Sequence, residues 1–372
     1  MNPFRYGSVV SGTHFYDRKE EVRSLCNDVE SGNNLVLYAP RRYGKTSLIF
    51  KVMDELRGKG INTVYVDFFN VEDKRSFLEY YSDKLLKAKK APLENLIKKF
   101  RKFVKGIEPS VSFDESGKPV FKFSFNFNVT TPDATFDEVI NLPERWANGE
   151  RWLVVFDEFQ EIVNLNGNNF EKQLRANIQH HKNVSYVFMG SKTHLLLNIF
   201  NNKSRSLYNS GKLFKIDKIP EQDTFDFLKR KFNGTNISEN TIRYIITNAD
   251  NIPYYVQFIA SQVWQTAVGK KSIMKSDIDT ALKRTMDAQS DFYEEVYGKL
   301  SILQKKILRA LIYENEFIYS TEYLLKHNLG PSSSVQKGIT KLIEEGIIER
   351  TKERYEYSDP IFKRFLKLRL EA

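Results

Sequence analysis

An apolar run, a basic loop ending in Gly-Lys-Thr and a helical segment follow one another near the start of the chain. Residues 35–38 have the pattern of a buried strand, residues 39–46 read Ala-Pro-Arg-Arg-Tyr-Gly-Lys-Thr, and residues 46–57 have the pattern of a helix. A loop between a strand and a helix turns successive backbone N–H groups towards an anion. The spacing predicts a phosphate-binding loop (P-loop), in which Lys45 reaches the β- and γ-phosphates of a nucleotide and Thr46 coordinates Mg²⁺.

The P-loop departs from the usual G-x-x-x-x-G-K-[ST] pattern at one position. Ala39 stands where the pattern begins with glycine, whereas Gly44, Lys45 and Thr46 are intact. Because glycine adopts a positive φ without strain, we expect backbone strain at Ala39 if the loop requires that conformation there. The predicted nucleotide-binding residues of the loop are Ala39, Pro40, Arg41, Arg42, Tyr43, Gly44, Lys45, Thr46 and Ser47.

Two carboxylates follow a second apolar run, far along the chain from the P-loop. Residues 152–156 read Trp-Leu-Val-Val-Phe and are followed by Asp157 and Glu158. At the carboxyl end of a parallel strand, Asp157 can hold Mg²⁺ through water, and Glu158 can orient and deprotonate the water that attacks the γ-phosphate. An acidic residue at this place can also cap a helix. Together with the P-loop, the pair indicates a site that hydrolyses a nucleotide.

Strand and helix patterns alternate in the first half of the chain. Buried runs also occur at residues 63–66 and 184–189, with helical segments between the runs. This alternation is typical of an α/β fold with a mostly parallel, doubly wound sheet.

A basic amphipathic helix and a β-hairpin interrupt this alternation at about residues 84–130. The apolar face of the predicted helix consists of Leu93, Leu96, Ile97, Phe100, Val104 and Ile107. In the hairpin, which follows a turn near Gly117, polar residues alternate with Phe121, Phe123, Phe125, Phe127 and Val129. One face of this ribbon is therefore expected to pack on the rest of the domain.

The second half of the chain has helical patterns and ends in the order of a winged helix: helix, helix, turn, helix and two short strands. Residues 332–345 would be the recognition helix, and they offer Lys337 and Lys341 but no arginine, which favours packing or protein contact over DNA reading. The predicted domains are a P-loop ATPase domain (1–219, with the insertion at about 84–130), a helical lid domain (220–297) and a winged-helix domain (298–372).

Charge and cysteine content constrain the environment of the protein. Lys and Arg number 57 against 47 Asp and Glu, and the resulting net charge of +10 is compatible with a nucleic-acid partner, although much of the excess lies in residues 83–106. A single cysteine, Cys26, excludes an internal disulfide framework and a cysteine-based zinc site. No apolar run reaches the roughly 18 residues of a membrane span. These features predict a cytoplasmic protein that is not inserted in a membrane.

Residues 39–48 resemble the P-R-R-x-G-K-T-S-L loop of the archaeal-type ATPases, a family in the STAND class of AAA-like P-loop NTPases. Residues 15–21 are similar to the F-x-x-R-x-x-E segment that precedes the loop in that family and helps to enclose the base. The run that ends in Met-Gly-Ser at 189–191 and residues 357–362 also match its landmarks. The resemblance implies an AAA-like domain, a helical bundle and a winged helix that act as an ATP-driven switch, with ATP and Mg²⁺ as cofactors.

The resemblance also implies roles for residues outside the P-loop. Pro253, in the sequence Asn-Ile-Pro, stands where many relatives have a G-x-P motif that touches the nucleotide. Ser191 and Lys192 stand where STAND proteins often have an arginine that senses the γ-phosphate. Arg205 is a candidate arginine finger that would stabilise charge in the transition state, with an ordinary surface arginine as the alternative.

Three functions are compatible with these features. The first, adopted here as the hypothesis, is a STAND-type switch that binds and hydrolyses ATP and acts on a protein partner or on a second copy of the chain. Its catalytic residues would be Lys45, Glu158 and Arg205, and its metal ligands Thr46 and Asp157. The second is an ATP-regulated DNA-binding protein that uses the winged helix, with steeply salt-dependent binding. The third is a nucleotide-binding scaffold without turnover, against which the retained Glu158 argues.

Overall fold

The structure is a computed structural model that describes residues 2–89, 91–125, 131–165, 167–267, 270–351 and 354–371. The chain forms two compact units. Unit 1 consists of Met1–Asp17, Pro40–Gly44 and Asp217–Ala372, and unit 2 consists of Arg18–Ala39 and Lys45–Ile216. The chain therefore passes from one unit to the other twice inside the P-loop, between Ala39 and Pro40 and between Gly44 and Lys45.

Unit 2 is built on a parallel sheet. Its strands in chain order are β1 (Leu35–Tyr38), β2 (Asn62–Asp67), β3 (Ile107–Phe113), β4 (Pro119–Phe125), β5 (Trp152–Asp157), β6 (Val184–Gly190) and β7 (Lys212–Lys215). Five of them form one sheet in the order β2-β5-β6-β1-β7, and every neighbouring pair is parallel. Every residue of β5 and β6 is buried, which explains why both strands are mainly apolar. The predicted α/β fold with a parallel sheet is confirmed.

Helices connect these strands. In chain order they are α1 (Lys19–Glu30), α2 (Lys45–Gly58), α3 (Lys74–Ala88), α4 (Leu93–Phe103), α5 (Pro132–Ile140), α6 (Leu142–Trp146), α7 (Gly167–Ile178) and α8 (Thr193–Asn201). Because α2 begins at Lys45, within the P-loop that follows β1, the free N–H groups of its first turn lie in that loop. The fold thus places a helix N-terminus where the sequence predicts phosphate binding.

The inserted segment forms α4 and the antiparallel hairpin β3–β4, with one correction. Ile107 begins β3 and does not continue the apolar face of α4, because the helix ends at Phe103 and Val104 already has an extended conformation. Phe121 is buried and Lys122 is exposed, so one face of the ribbon packs inwards as expected. Phe127 and Val129 lie outside the described residues.

The C-terminal part of unit 1 is mainly helical. Its helices are α9 (Glu221–Lys231), α10 (Glu239–Asn248), α11 (Pro253–Thr266), α12 (Lys275–Gly298), α13 (Ile302–Tyr313), α14 (Thr321–Lys326), α15 (Ser332–Glu344) and α16 (Pro360–Glu371). Its short strands are β8 (Asn236–Ile237), β9 (Ser272–Ile273), β10 (Ile348–Thr351) and β11 (Arg354–Tyr357). In the described parts of the chain, no helix has both the length and the apolar character that a membrane crossing requires.

The winged helix is confirmed and extended by one element. Helices α13, α14 and α15 precede the antiparallel pair β10–β11, in the order that the sequence indicates. Helix α16 then follows the strands within the predicted domain, although the sequence pattern indicates no helix after them. Asp359 caps this helix by accepting hydrogen bonds from the backbone N–H groups of Ile361 and Phe362, and Pro360 occupies its first position.

The first residues of the chain belong to unit 1. Asn2 donates a hydrogen bond of 2.8 Å to the Ser261 hydroxyl, and the rings of Tyr16 and Phe227 stack with centroids 3.9 Å apart. The contacts thus group residues 2–17 with the helical part, whereas the domain limits proposed from the sequence place them in the α/β domain.

Candidate nucleotide-binding and hydrolysis site

The P-loop backbone has two left-handed positions, and neither is Ala39. Arg42 has φ 72° and Gly44 has φ 83°, whereas Ala39 is fully buried and is not among the residues with positive φ. The expectation of strain at Ala39 is therefore wrong, because this loop makes its sharp turns three and five residues later. Strain falls on Arg42, a residue with a side chain in a region that favours glycine.

The remaining loop residues surround this turn. Pro40 is half-buried and Arg41 is exposed, whereas Ser47 is buried in the first turn of α2. Thr46 is half-buried beside it. The hydroxyls of both residues therefore lie at the helix N-terminus, where an anion is stabilised by free N–H groups.

Lys45 and Glu158 lie close together in unit 2. The Lys45 ammonium is 3.9 Å from Oε1 of Glu158, and both side chains are largely buried. Glu158 directly follows β5 and has φ 49°, which is unusual for a residue with a side chain. Burial raises the pKa of Glu158, but Lys45 and hydrogen bonds from Gln160 and Ser191 outweigh it, so the pKa lies below its usual value. Glu158 is therefore ionised at neutral pH.

Three donors hold the second oxygen of Glu158. Its Oε2 accepts hydrogen bonds from Gln160 Nε2 at 2.7 Å, from the Ser191 hydroxyl at 2.9 Å and from the Ser191 backbone N–H at 3.1 Å. Gly190 makes room for this arrangement, since a Cβ at that position would lie 1.9 Å from Gln160 Oε1. Gln160 and Ser191 thus fix the direction of the Glu158 carboxylate.

Asp157 is buried and both of its oxygens accept hydrogen bonds. The Tyr65 hydroxyl on β2 donates to Oδ2 at 2.5 Å, and the backbone N–H of Glu158 donates to Oδ1 at 2.8 Å. Asp67 lies opposite Asp157 in the register of β2 and β5. Burial raises the pKa of Asp67, and the neighbouring carboxylates of Asp157 and Glu158 add to this effect.

The oxygen atoms of Thr46 and Asp157 fit the chemistry of a Mg²⁺ site completed by phosphates and water. Mg²⁺ prefers hard oxygen ligands and is bound in nucleotide sites by one or two protein groups. Among the described residues, no group of three or more His, Cys, Asp or Glu side chains could hold a metal ion. A divalent cation at this site would therefore depend on the nucleotide phosphates for most of its ligands.

Two P-loop side chains contact the winged helix within unit 1. Tyr43 is buried, and its hydroxyl donates a hydrogen bond of 2.8 Å to Oε1 of Glu349 on β10. Burial and the Glu349 carboxylate raise the pKa of the Tyr43 hydroxyl, which keeps it protonated as a donor. A guanidinium nitrogen of Arg42 lies 3.5 Å from Oδ2 of Asp359, at the N-terminus of α16.

Arg42 also contacts the N-terminus of α11, where the predicted nucleotide-binding residue Pro253 is the first helical position. The Arg42 guanidinium carbon lies 5.2 Å from the ring centroid of Tyr254 and 4.8 Å from that of Tyr255. The backbone N–H of Tyr254 donates to the Arg42 carbonyl at 3.3 Å. Asn251, two residues before Pro253, adopts a left-handed conformation with φ 52°. The contacts of Arg42 and Tyr43 with Tyr254, Tyr255, Glu349 and Asp359 are called the P-loop clasp below.

Two of the predicted charged residues are engaged elsewhere in unit 2. Arg205 forms an ion pair with the buried carboxylate of Glu171, so its guanidinium already has a partner in this structure. Lys192 pairs with Glu161 at 2.9 Å. The arginine-finger role of Arg205 stays a prediction, and it would require release from Glu171.

The sequence analysis missed Tyr65, Asp67 and Gln160. Tyr65 and Asp67 lie on β2, which the fold places beside β5 although 92 residues separate Tyr65 from its partner Asp157. The sequence feature that could have identified them is the presence of two polar side chains at the end of an apolar strand. Gln160 lies two residues after Glu158, and no sequence pattern indicates that a glutamine at this position belongs to the site.

Comparison with known proteins shows the family to which the chain belongs. Residues 15–259, more than half of the chain, match the family described as an ATPase domain predominantly from Archaea, and residues 291–368 match a winged helix domain family. An ATP-binding protein of Methanocaldococcus jannaschii is 26% identical over 306 residues, which cover 79% of this chain and 84% of that protein.

Solved structures share the fold at lower identity. A Walker-type ATPase of Pyrococcus abyssi superposes with a TM-score of 0.64 at 19% identity, covering 95% of this chain and 96% of that one. The ORC2 protein of Aeropyrum pernix superposes with a TM-score of 0.53 at 12% identity, covering 99% and 100% of the two chains. The parallel sheet with its P-loop and the winged helix are consistent with the family match. The chain belongs to the family of ATPase domains found predominantly in Archaea.

Proposed function

We propose that the protein is a Mg²⁺-dependent, STAND-type ATPase switch in which ATP binding and hydrolysis change the arrangement of the winged helix. The observation that carries this proposal is the meeting of Lys45 and Glu158 at 3.9 Å, with Arg42 and Tyr43 of the same loop bonded to the winged helix. Release of phosphate from ATP, measured with and without Mg²⁺, tests the hydrolysis directly.

Lys45 has two alternative anionic partners in this mechanism. In this structure its ammonium neutralises Glu158, whereas the β- and γ-phosphates of bound ATP carry more negative charge and draw it away. Loss of the nearby cation raises the pKa of Glu158, which makes the carboxylate a better proton acceptor. ATP binding thereby prepares Glu158 to orient and deprotonate the attacking water.

Thr46 and Asp157 would hold the divalent cation beside the phosphates. The cation supplies charge stabilisation for the phosphates when it is bound. The Tyr65 hydroxyl, at 2.5 Å from Oδ2 of Asp157, fixes the orientation of that carboxylate. Asp157 stays in place while Glu158, held by Gln160 and Ser191, points to the reacting water.

The P-loop clasp couples the nucleotide to the winged helix. Arg42 and Tyr43 belong to the segment that must wrap the phosphates, and their side chains bind Asp359 and Glu349. Closure of the loop on ATP changes the positions of both side chains, so ATP favours an arrangement in which these contacts are broken. A ligand shifts a conformational equilibrium only if it interacts differently with the two conformations. Different contacts of ATP and ADP with this loop would provide that difference.

Replacement of Gln160 by alanine is expected to move the acid limb of the kcat–pH profile to higher pH by about one unit. Glu158 must be ionised to accept a proton, and the Gln160 amide stabilises that ionised form at 2.7 Å. Removal of the donor raises the pKa of Glu158, so activity is lost at a higher pH as the solution is acidified. Phosphate release measured between about pH 5 and 8 checks this. Asn164→Ala, which removes an exposed amide nearby, should leave the profile unchanged.

Replacement of Glu349 by alanine is expected to increase ATP affinity by about fivefold or more. If ATP weakens the clasp, linkage requires that weakening the clasp strengthens ATP binding. The change lies on β10 and leaves every P-loop residue intact. Titration calorimetry with ATP measures the effect, and Glu345→Ala, an exposed glutamate after α15, is the matched control. Unchanged or weaker ATP binding would refute the coupling while leaving the hydrolysis proposal intact.

DNA binding by the winged helix is the second candidate function, favoured by one observation. The polar residues of α15 form an exposed face that a duplex could reach, including Lys337 and Lys341. This helix contains no arginine, the residue on which base reading usually depends. A protein partner or a second copy of the chain is therefore the preferred binding partner of the winged helix. Binding to duplex DNA that falls steeply with salt would support the second candidate.

A further inference from the structure

A cavity of about 510 Å³ lies in the winged helix, and no P-loop residue lines it. It is formed by the segment that joins α13 to α14 and by the two wing strands β10 and β11. The residues that line it are Glu316, Phe317, Ile318, Tyr319, Ser320, Arg350, Arg354 and Tyr355. Its volume lies within the range of ligand pockets, and three of its eight lining residues are aromatic.

Phe317 is the unusual residue of this cavity. Its side chain is 76% exposed to solvent and its backbone has φ 49°, a left-handed conformation that is costly for a bulky residue. Exposure of a Phe ring is unfavourable as well, and neither cost is repaid by burial in the domain. Strained residues that persist without a packing reason are characteristic of binding sites. The conformation presents a free aromatic face at the mouth of the cavity.

Two tyrosines line the cavity and contact each other. The hydroxyls of Tyr319 and Tyr355 lie 3.1 Å apart, and their rings are perpendicular with centroids 6.2 Å apart. Tyr355 is buried, whereas Tyr319 is exposed to solvent. The cavity thus combines one buried aromatic ring with the exposed rings of Tyr319 and Phe317.

Positive charge predominates among the lining residues. The lining includes two arginines, Arg350 and Arg354, and one carboxylate, Glu316, which forms an ion pair with Arg354. Arg350 is exposed, and its guanidinium carbon lies 6.0 Å from the Tyr355 ring centroid. A guanidinium beside aromatic rings fits a ligand that joins flat rings to anionic groups, and every nucleotide of a nucleic acid joins a flat base to a phosphate.

We propose that this cavity binds single-stranded nucleic acid, with bases stacked on Phe317 and Tyr319 and a phosphate bound by Arg350. Aromatic faces beside cationic side chains are the combination by which proteins hold unpaired strands. The bases of a duplex are stacked on one another, so their faces cannot reach Phe317 unless they leave the helix. The inference concerns residues outside the P-loop and does not depend on ATP hydrolysis.

Fluorescence anisotropy with a fluorescein-labelled oligothymidylate of about 12 nucleotides tests this proposal on the full chain. We expect the single strand to bind more tightly than the duplex formed with its complement. Phe317→Ala should weaken binding about 5- to 150-fold, the loss expected for one stacked base. Arg350→Ala should lower the slope of log affinity against log salt by about 0.7, since one phosphate contact is lost.

Two controls separate this site from its neighbours. Lys337→Ala on α15 should leave single-strand binding unchanged, and all variants should keep the ATPase rate of the wild type. Phe317 is exposed, so its replacement is not expected to disturb folding, and circular dichroism checks this. Equal binding of single strand and duplex, unaltered binding by Phe317→Ala, or a loss confined to Lys337→Ala would each overturn the proposal.

Discussion

Lys45→Ala is expected to weaken ATP binding about 30- to 4000-fold, which corresponds to about 2–5 kcal/mol for the loss of one partner of a buried charge pair. Lys45 is 6% exposed and begins α2, so its ammonium lies with the free N–H groups of the helix N-terminus. Titration calorimetry with Mg²⁺ and ATP measures the change.

The matched control for this variant is Lys51→Ala. Lys51 lies on the same helix, is exposed and pairs only with Glu55 in the next turn among its described ion pairs. Exposed pairs of this kind contribute little, so Lys51→Ala should bind ATP like the wild type. An unchanged dissociation constant for Lys45→Ala would mean that the P-loop does not hold the phosphates.

Glu158→Gln is expected to retain ATP binding and to lower the rate of hydrolysis by about 10²–10⁴-fold, the contribution of a positioned general base. The amide has nearly the shape of the carboxylate and can still accept hydrogen bonds from Ser191, but it cannot take a proton from water. Lys45 also loses the anion that competes with phosphate, which favours ATP binding. Phosphate release in a single turnover measures the loss.

Glu161→Gln provides the control for Glu158→Gln. Glu161 is a nearby carboxylate that also accepts a hydrogen bond from Gln160, but it pairs with Lys192 and has no contact with Lys45 among the described ion pairs. We expect it to keep nearly full activity. Turnover by Glu158→Gln at the wild-type rate would remove Glu158 from the role of base.

Local patterns in the sequence predict much of this site. A strand, a loop and a helix are contiguous around Gly44, so their spacing is visible without knowledge of the fold. The strand that ends in Asp157 and Glu158 is similarly plain, because β5 is buried on both faces and every residue of its run is apolar up to Asp157. Placement of the two motifs on one sheet edge follows from the parallel topology.

Interactions between distant segments could not be predicted. The hydrogen bond from Tyr65 to Asp157 depends on β2 and β5 being neighbours, and the ion pair of Arg205 with Glu171 depends on how a loop folds back on α7. The strain expected at Ala39 was inferred from the usual P-loop pattern. This loop has a different backbone geometry, because its left-handed residues are Arg42 and Gly44. The P-loop clasp could not be predicted from the sequence either, since Tyr43 and Glu349 are 306 positions apart.

The contact between the P-loop and the C-terminal region is the most direct place to test whether nucleotide state controls the winged helix. The Tyr254 amide donates to the Arg42 carbonyl at 3.3 Å, so its exchange with deuterium reports on the clasp. We would measure hydrogen exchange in Glu158→Gln, which traps ATP, with saturating ATP and with saturating ADP. The account predicts faster exchange with ATP at Tyr254 and in β10. Identical exchange in both states, with ATP shown to be bound, would contradict it.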